Sequence, residues 1–387
     1  MDIRELDKKY VANTYARYEP IFVNGRGSVI YDDEGKEYID MASGIAVDVF
    51  GIADESWVSA VTEQLGKLQH VSNKYYTAPQ ALLAQKLCEK TGMKKVFFSN
   101  SGAEANECLI KTARKYGHDK YGDKRPNIIT LINSFHGRTM ATLTATGQDA
   151  MHKDFGPFVP GFLYAPANDL AAVTELCKDD TVCGILMEMV QGEGGVNALD
   201  KAFVQGVAKL CKDRDILLLV DEVQTGNGRT GKLYAYMNYG VEPDVVSTAK
   251  GIGGGLPLGA TMMGEKTENT LTSGSHGSTF GGNPVCCAGA LSIIERLDDK
   301  LFDEVRQKGE YIMKELKACP GVKDVTGMGL MLGVQTEKDA AELAHECLDK
   351  GVIVMTAKDK LRLLPALNIP DELLVKAVQI IKGVIEA

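Results

Sequence analysis

Two polar side chains follow strand-like runs, at positions where a buried strand would present them to a ligand. The run 216–220 ends in Asp221, and the run 244–249 ends in Lys250, which a glycine-rich stretch at 251–255 follows. A carboxylate in such a place is a metal ligand, the partner of a buried cation or a helix N-cap. A lysine that enters a glycine-lined pocket loses charge through desolvation, and its amine can then attack aldehydes. Lys250 is therefore a candidate nucleophile.

A small-residue turn offers a candidate phosphate site. The apolar strand at 97–99 leads into Ser101, Gly102 and Ala103, where a helix is predicted over 103–116. Free backbone N–H groups and the helix dipole at such a turn suit a phosphate monoester. A serine-capped helix with Glu104 at the capping-box position predicts much of the same sequence, so both interpretations stay open on this segment alone.

The segment 134–139 combines an aromatic side chain with a cation after another predicted strand. Phe135 can stack on a planar ring, and Arg138 can bind a carboxylate through two parallel hydrogen bonds. His136 has no second histidine at metal-binding spacing, so we expect it to support the aromatic shelf or to donate a hydrogen bond behind it. No metal site is predicted.

Two glycine-rich segments fall short of nucleotide-binding motifs. The segment 226–232 matches the first seven positions of a P-loop, but Leu233 replaces the hydroxyl residue that must hold Mg²⁺. The glycines of 251–255 do not complete a GxGxxG fingerprint, because Leu256 occupies its last position. The sequence therefore favours neither a nucleoside triphosphate nor a dinucleotide.

The predicted elements that position these residues change in type along the chain. Early strand-like runs are separated by turn signals, and from about residue 80 helical stretches alternate with short apolar runs. Such runs indicate strands buried on both faces of an α/β sheet. The early runs are 20–23, 28–31 and 37–40, and the buried ones are 95–99, 127–132, 183–189, 216–221, 245–248 and 260–264.

The tail after residue 284 has a different pattern of predicted helices and strands. A long helical stretch leads into helices near 303–317, 338–349 and 371–385, which alternate with strands near 322–335 and 352–364. We therefore predict two domains. The large α/β domain covers 50–285, and a smaller α+β domain is formed by 1–49 together with 286–387.

The composition excludes several classes of function. The formal net charge of −9 argues against a nucleic-acid-binding surface. No run approaches 18 apolar residues, and the first ten residues lack the apolar core of a secretory signal. The nine cysteines include no CxxC pair, as expected in a reducing compartment. We therefore predict a cytoplasmic protein that binds neither nucleic acid nor membrane.

Six ordered motifs carry a resemblance to one enzyme family. They are NSGAEANE (100–107), SFHGRT (134–139), MVQGEGGV (189–196), LLLVDEVQTGNGRTGK (217–232), STAKGIGGGLPLGA (247–260) and HGSTFGGNP (276–284). Their order across essentially the whole chain resembles the class III aminotransferases, which depend on pyridoxal phosphate. The resemblance implies the α/β transferase fold of type I, with a mostly parallel central sheet covered by helices and a smaller α+β domain. It also implies a homodimer with sites at the subunit interface.

The resemblance assigns roles to individual residues. Lys250 would hold the cofactor covalently and then move a proton, and Asp221 would pair with the ring nitrogen so that the ring accepts electrons. The other expected cofactor-binding residues are Ser101, Gly102 and Ala103 at the phosphate, Phe135 on the ring, Gln224 at the phenolic oxygen with Glu188 behind it, Glu222 and Val223 beside Asp221, and Thr279, which would reach the cofactor of the partner subunit. The expected substrate-binding residues are Arg138, Ser278, Glu193, Arg362 and Tyr18.

The implied reaction is a transamination in arginine biosynthesis. It transfers the δ-amino group of N2-acetyl-L-ornithine to 2-oxoglutarate, which gives N-acetyl-L-glutamate 5-semialdehyde and L-glutamate. Two departures from the family pattern, at Asp48 with Gly51-Ile52 and at 363–366, lie near the expected substrate entrance. Other ω-amino donors therefore stay open: succinylornithine, N-succinyldiaminopimelate, ornithine and 4-aminobutyrate. A decarboxylase or aminomutase would not need an α-keto acid, and a non-catalytic binding protein would not need Lys250.

Overall fold

The computed structural model describes residues 2–387. Its helices are Ile3–Tyr10, Glu55–Leu65, Ala78–Thr91, Gly102–Tyr121, Met140–Ala145, Asp149–His152, Leu170–Leu176, Lys201–Arg214, Tyr236–Tyr239, Pro284–Ile294, Asp299–Lys317, Ala340–Asp349 and Asp371–Glu386, with 3-10 turns at Gly122–Lys124 and Lys250–Ile252. The strands are β1 (Phe22–Arg26), β2 (Val29–Asp32), β3 (Glu37–Asp40), β4 (Lys95–Ser99), β5 (Asn127–Leu131), β6 (Phe162–Ala165), β7 (Val182–Met187), β8 (Val190–Gln191), β9 (Asn197–Ala198), β10 (Leu217–Asp221), β11 (Val245–Thr248), β12 (Gly259–Met263), β13 (Val322–Met328), β14 (Met331–Thr336), β15 (Val352–Ile353), β16 (Met355–Ala357) and β17 (Lys360–Leu363).

A seven-stranded sheet forms the centre of the molecule. Its strand order is β4-β12-β11-β10-β7-β5-β6, and only β12 runs antiparallel to its neighbours. The predicted α/β fold with a mostly parallel central sheet is confirmed. Because β4, β5, β7, β10 and β11 run in one direction, their carboxyl ends meet at one edge of the sheet, where α/β proteins bind ligands.

Apolar side chains on both faces hold this sheet in place. Every residue of β7, β10, β11 and β12 is buried. Each Val, Leu or Ile removed from water in this way contributes about 1.5–3 kcal/mol before entropy is counted. The helix Gly102–Tyr121 packs across β11, β12 and β7. Because this helix follows β4, it begins at the same edge at which the parallel strands end.

Three smaller sheets surround the central one. The tail meets the first strands of the chain in one of them, where β15 pairs parallel to β3 at the end of the order β1-β2-β3-β15. An antiparallel sheet has the order β13-β14-β17-β16, and β8 forms a hairpin with β9. Over residues 2–387, none of the helices combines the length and the apolar character needed to cross a membrane.

A left-handed turn follows β3. Residues 43–46 have φ angles of 48°, 60°, 66° and 62°, and only one of the four, Gly44, is a glycine. The left-handed conformation costs each residue other than glycine roughly 1–2 kcal/mol, so contacts with neighbouring residues must stabilise this turn. Asp40 accepts hydrogen bonds from the N–H groups of Ala42 and Ser43 at 2.8 Å each. The turn packs against Gly251, directly after Lys250, where a Cβ atom would have no room.

Candidate active site

A cavity of about 260 Å³ opens at the carboxyl edge of the central sheet. Nine of the residues predicted for the site line it, namely Gly102, Ala103, Phe135, Arg138, Glu188, Asp221, Val223, Gln224 and Lys250, and Asn106, His136 and Gly137 complete the lining. These residues come from five segments between positions 102 and 250. The parallel strands bring them together because each segment follows a strand that ends at this edge.

Asp221 is held by a set of donors at the end of β10. It is 3% exposed, and Nδ1 of His136 and Nδ2 of Asn106 lie 2.8 and 2.7 Å from its Oδ2. The backbone N–H of Val223 donates to its Oδ1 at 2.9 Å. Ser247, the neighbour of Asp221 across β10 and β11, donates to Asn106 Oδ1 at 2.6 Å. This network fixes the carboxylate before any ligand binds.

Lys250 projects from a strained backbone position directly after β11. Its φ is 49°, in the left-handed region that non-glycine residues seldom adopt and that is enriched at functional sites. Burial lowers the pKa of its ammonium group, and Arg362 lowers it further, whereas Glu193 and Asp221 act in the opposite direction. The net effect favours the neutral amine, which is the nucleophilic form.

The small-residue turn at 100–104 is a capped helix start, in which Glu104 reaches one residue further back than in a capping box. The hydroxyl of Ser101 accepts from the N–H of Glu104 at 3.2 Å, and the carboxylate of Glu104 accepts from the N–H of Asn100 at 2.5 Å. The first intrahelical hydrogen bond runs from the N–H of Ala105 to the carbonyl of Ser101. The capped-helix interpretation and the anion-binding one are therefore compatible, because the cap leaves the next two amides open.

Those amides belong to Gly102 and Ala103, which line the cavity. A Cβ atom on Gly102 would lie 2.6 Å from Cγ1 of Val223, so only glycine fits there without displacement. The helix N-terminus can thus approach the segment after Asp221 closely. Two free N–H groups and the positive end of a 20-residue helix make this part of the cavity suited to a phosphate.

Phe135 forms one wall of the cavity. Its N–H donates to Oε1 of Glu188 at 2.8 Å, and the guanidinium of Arg138 lies 5.6 Å from its ring centroid. Burial raises the pKa of Glu188 to about 7, although the nearby His136 opposes this and Asp221 adds to it. Arg138 is exposed at the mouth of the cavity, where it can reach a carboxylate.

Arg362 and Glu193 form an ion pair that contacts Gln224 and lies close enough to Lys250 to shift its pKa. Arg362 is 2% exposed, and its Nη1 lies 2.5 Å from Oε1 of Glu193 and 3.3 Å from Oε1 of Gln224. Gln224 also contacts Glu193, at 3.4 Å. Burial raises the pKa of Glu193, but the charge of Arg362 outweighs it and holds that pKa below its usual value. The carboxylate is therefore charged at neutral pH.

Two predicted site residues lie elsewhere. Glu222 is fully buried, and its carboxylate accepts from the hydroxyl of Thr225 and from the N–H of Tyr236, because the chain turns after β10 and directs it away from the cavity. Tyr18 lies on the surface against His345, with a ring separation of 4.8 Å, because the segment before β1 runs along the tail. Neither lines the cavity of this chain.

Two further predicted residues occupy an exposed loop before the helix Pro284–Ile294. The hydroxyl of Ser278 accepts from Nδ2 of Asn100 at 3.1 Å, which ties the loop to the capping turn. Thr279 is exposed beside Phe280, whose side chain is 59% exposed. The loop is outside this chain's own cavity lining.

The cavity residues fit pyridoxal phosphate, the cofactor implied by the resemblance. The free N–H groups of Gly102 and Ala103 suit its phosphate, Phe135 offers a face for its ring, and Asp221 is a preorganised anion for its ring nitrogen. Lys250 supplies an amine of lowered pKa. In the described chain, residues 2–387, no group of three or more His, Cys, Asp or Glu residues is placed to hold a metal ion.

Comparisons with known proteins identify the family of the chain. The family model described as Aminotransferase class-III matches residues 10–385. Acetylornithine aminotransferase of Haemophilus ducreyi is 49% identical over 99% of this chain and 98% of its own length. Succinylornithine transaminase of Citrobacter koseri is 42% identical over 95% of this chain and 93% of its own length. The solved ornithine aminotransferase of Toxoplasma gondii, with partial occupancy of PLP at its active site, superposes with a TM-score of 0.94 at 30% identity over 99% of this chain and 93% of that one.

Fold and site together define an aminotransferase built on a mostly parallel α/β sheet. The chain belongs to the class III aminotransferases. The family prediction and the prediction of an enzyme are thus confirmed.

Proposed function

We propose that this aminotransferase transfers the δ-amino group of N2-acetyl-L-ornithine to 2-oxoglutarate, as in arginine biosynthesis. The products are N-acetyl-L-glutamate 5-semialdehyde and L-glutamate. The 49% identity to an acetylornithine aminotransferase supports this donor. The observation that carries the proposed transfer from a terminal amino group to 2-oxoglutarate is the buried pair of Arg362 and Glu193 beside Lys250, because such a pair would let one cavity accept two unlike substrates.

The two substrates differ at the carbon next to the reacting nitrogen. Glutamate carries a carboxylate there, which Arg362 can bind through parallel hydrogen bonds. Acetylornithine presents only a methylene group, and a bare buried guanidinium facing it would be costly. Glu193 neutralises Arg362 in that case and swings away when glutamate or 2-oxoglutarate binds. The carboxylate of acetylornithine then lies at the mouth, within reach of Arg138.

The remaining steps belong to residues at the sheet edge. When bound, pyridoxal phosphate supplies an aldehyde that takes up amino groups and a ring that accepts electrons. Lys250 would hold the aldehyde and would then carry a proton on Nζ to and from the reacting carbons. Asp221, whose carboxylate is fixed by three hydrogen bonds, would keep the ring nitrogen protonated. Phe135 would offer a face to the ring.

The proposal is tested by half-reactions. The purified enzyme is mixed in single turnovers with N2-acetylornithine, N2-succinylornithine, ornithine and 4-aminobutyrate, and the cofactor absorbance is followed. We expect acetylornithine to react with the highest kcat/KM and 2-oxoglutarate to restore the starting spectrum. Succinylornithine is the second candidate donor, because a succinylornithine transaminase is 42% identical to this chain. Preference for any other donor by tenfold or more contradicts the proposal.

The lysine assignment has its own test. Borohydride reduction of the holoenzyme followed by peptide mapping should place the reduced cofactor adduct on Lys250. Lys250→Ala should abolish turnover. An adduct on a different lysine contradicts the assignment.

The enzyme is further proposed to work as a cytoplasmic homodimer in which Thr279 reaches the cofactor phosphate of the other subunit. Supporting this, Tyr75 is 67% exposed and Phe280, next to Thr279, is 59% exposed, which leaves large apolar side chains for a partner to cover. Mixing a Lys250→Ala chain with a Thr279→Ala chain should create one fully wild-type site per heterodimer. Activity should then recover above that of either parent. No recovery, with subunit exchange confirmed by native mass spectrometry, contradicts the shared site.

A further inference from the structure

Lys360 is a second buried cation on the strand that carries Arg362. The two residues are two positions apart on β17, so their side chains leave the same face of the sheet. Lys360 is 7% exposed. Its Nζ donates to Oδ1 of Asn197 and to Oγ1 of Thr326, at 2.9 Å each. No carboxylate in residues 2–387 lies within ion-pair distance of it.

Both partners of Lys360 stabilise the loop 192–197, which carries Glu193 between β8 and β9. Asn197 donates through Nδ2 to the carbonyl of Gly194 at 3.0 Å, and Thr326 donates through its hydroxyl to the carbonyl of Val196 at 2.8 Å. One ammonium group thus acts through two side chains on two carbonyl groups that lie one and three residues after Glu193. A charged donor strengthens such chains, since each bond polarises the next.

The loop needs this support because its backbone is strained. Gly195 has φ 105° and Val196 has φ 54°, a conformation that a β-branched residue rarely adopts. The N–H groups of Gly195 and Val196 donate to the carbonyl of Gly192 at 3.3 and 3.2 Å. Strained segments of this kind persist only where surrounding contacts over-determine them.

A glycine in the sheet beneath the loop makes room for both the loop and the stem of Lys360. A Cβ atom on Gly333 would lie 2.9 Å from Cβ of Val196 and 3.1 Å from Cδ of Lys360. The glycine therefore lets the loop and the lysine stem lie flat on β14. Burial lowers the pKa of Lys360, while Asp359 and Asp324 oppose the shift.

We infer that Lys360 is a positioning residue that fixes the backbone of the loop 192–197, so that only the side chain of Glu193 moves between substrates. Arg362 and Lys360 then have different roles on the same strand. Arg362 binds the carboxylate of Glu193 or of the substrate. Lys360 keeps the carboxylate of Glu193 within reach of Arg362. This inference rests on the proposed exchange of Glu193 for a substrate carboxylate. It predicts that Lys360 sets the ratio of the two half-reactions without touching either substrate.

The test uses the holoenzyme with Lys360→Met, which removes the charge but keeps an unbranched apolar stem. Thr326→Val removes one hydroxyl of the network and leaves the net charge unchanged. Lys350→Met is the matched control, since Lys350 is exposed after the helix Ala340–Asp349. Amide hydrogen exchange of the peptide 190–199 is measured by mass spectrometry. Single-turnover kcat/KM is measured with acetylornithine and with glutamate.

Lys360→Met should speed exchange in the loop by about tenfold or more and lower the acetylornithine-to-glutamate ratio of kcat/KM by about tenfold. Thr326→Val should move both readouts in the same direction by a smaller factor, and Lys350→Met should move neither. Should Lys360→Met not fold, Thr326→Val decides alone.

Equal losses with both donors, or unchanged exchange, overturn the inference. The exchange measurement needs no substrate, so it separates this inference from the proposed function. If Lys360→Met speeds exchange but the wild-type enzyme does not react with acetylornithine, the role of Lys360 in fixing the loop stands and the proposed donor is wrong.

Discussion

Replacing Glu193 tests how one cavity serves two donors. Glu193→Gln keeps the size of the side chain and removes the charge that neutralises Arg362. With acetylornithine, the guanidinium would then face a methylene group as a desolvated cation. With glutamate, the substrate carboxylate takes the place of residue 193, and it has to displace only a neutral amide, which Arg362 binds more weakly than a carboxylate. We therefore expect the acetylornithine half-reaction to weaken and the glutamate half-reaction to keep or improve its efficiency.

The size of the effect follows from the geometry of the pair. Removing one partner of a buried ion pair costs about 3–5 kcal/mol. The Nη1–Oε1 distance of 2.5 Å and the 2% exposure of Arg362 argue for the full value, but the side chain of Glu193 is 26% exposed. Gln224 also remains as a neutral acceptor at 3.3 Å. We therefore expect Glu193→Gln to reduce transition-state stabilisation with acetylornithine by about 1.4–2.8 kcal/mol. This loss corresponds to about a 10- to 100-fold decrease in kcat/KM for that donor.

Rapid mixing with each donor gives both half-reactions from the cofactor spectrum. Glu310→Gln, an exposed substitution on the helix Asp299–Lys317, is the matched control and should change neither. Arg362→Ala should give the opposite pattern and weaken glutamate most. The reasoning is refuted if Glu193→Gln changes the two donors by the same factor.

Three further perturbations test the cavity and its surroundings. Asp221→Ala should lower kcat by about a hundredfold or more, because loss of a buried partner costs about 3–5 kcal/mol at about 1.4 kcal/mol per tenfold; steady-state kinetics within threefold of wild type would rule the role out. Gly102→Ala should weaken cofactor retention, since the added Cβ would lie 2.6 Å from Val223 Cγ1; spectroscopic titration should show recovery in the double variant with Val223→Ala, and no recovery contradicts the steric cause. Burial raises the pKa of Glu222 from 4.5 to about 7, so the folded state binds the carboxyl proton more tightly than the unfolded state does. The stabilisation that this proton gives is full below pH 4.5 and is lost as the pH rises to about 7. Glu222→Gln should flatten the decline of the thermal midpoint over that pH window in scanning calorimetry, whereas an unchanged slope contradicts the assignment.

The cavity could be predicted from sequence because its chemistry lies at strand ends. An apolar run that ends in one polar residue marks both the strand and the residue it presents, as at Asp221 and Lys250. Parallel topology then brings such ends together without knowledge of any contact. Asn106 is absent from the sequence-based set, although a polar residue on the buried face of a helix, beside Ala105 and Leu109, is a recognisable signal.

Features that depend on backbone turns or on distant pairing could not be predicted. Glu222 is adjacent to Asp221 in the sequence, but the turn after β10 separates their side chains. Tyr18 is predicted at the substrate mouth, whereas its segment lies on the surface of this chain. β6 gives no clear sequence signal because it is a short edge strand with an exposed tyrosine. The division into domains over 50–285 and over 1–49 with 286–387 stays a prediction.

The inner and outer ends of the cavity differ in what they can discriminate. Acetylornithine and succinylornithine present the same methylene group to Arg362, so the pair with Glu193 cannot tell them apart. In the proposed binding mode their acyl groups would lie at the other end, near Arg138, which is exposed and contacts the ring of Phe135. A succinyl group adds a carboxylate and needs one more cation at that end, whereas an acetyl group needs none. Relatives named for either donor, at 49% and 42% identity, can therefore share the inner site, and the choice of acyl group must depend on residues at the mouth.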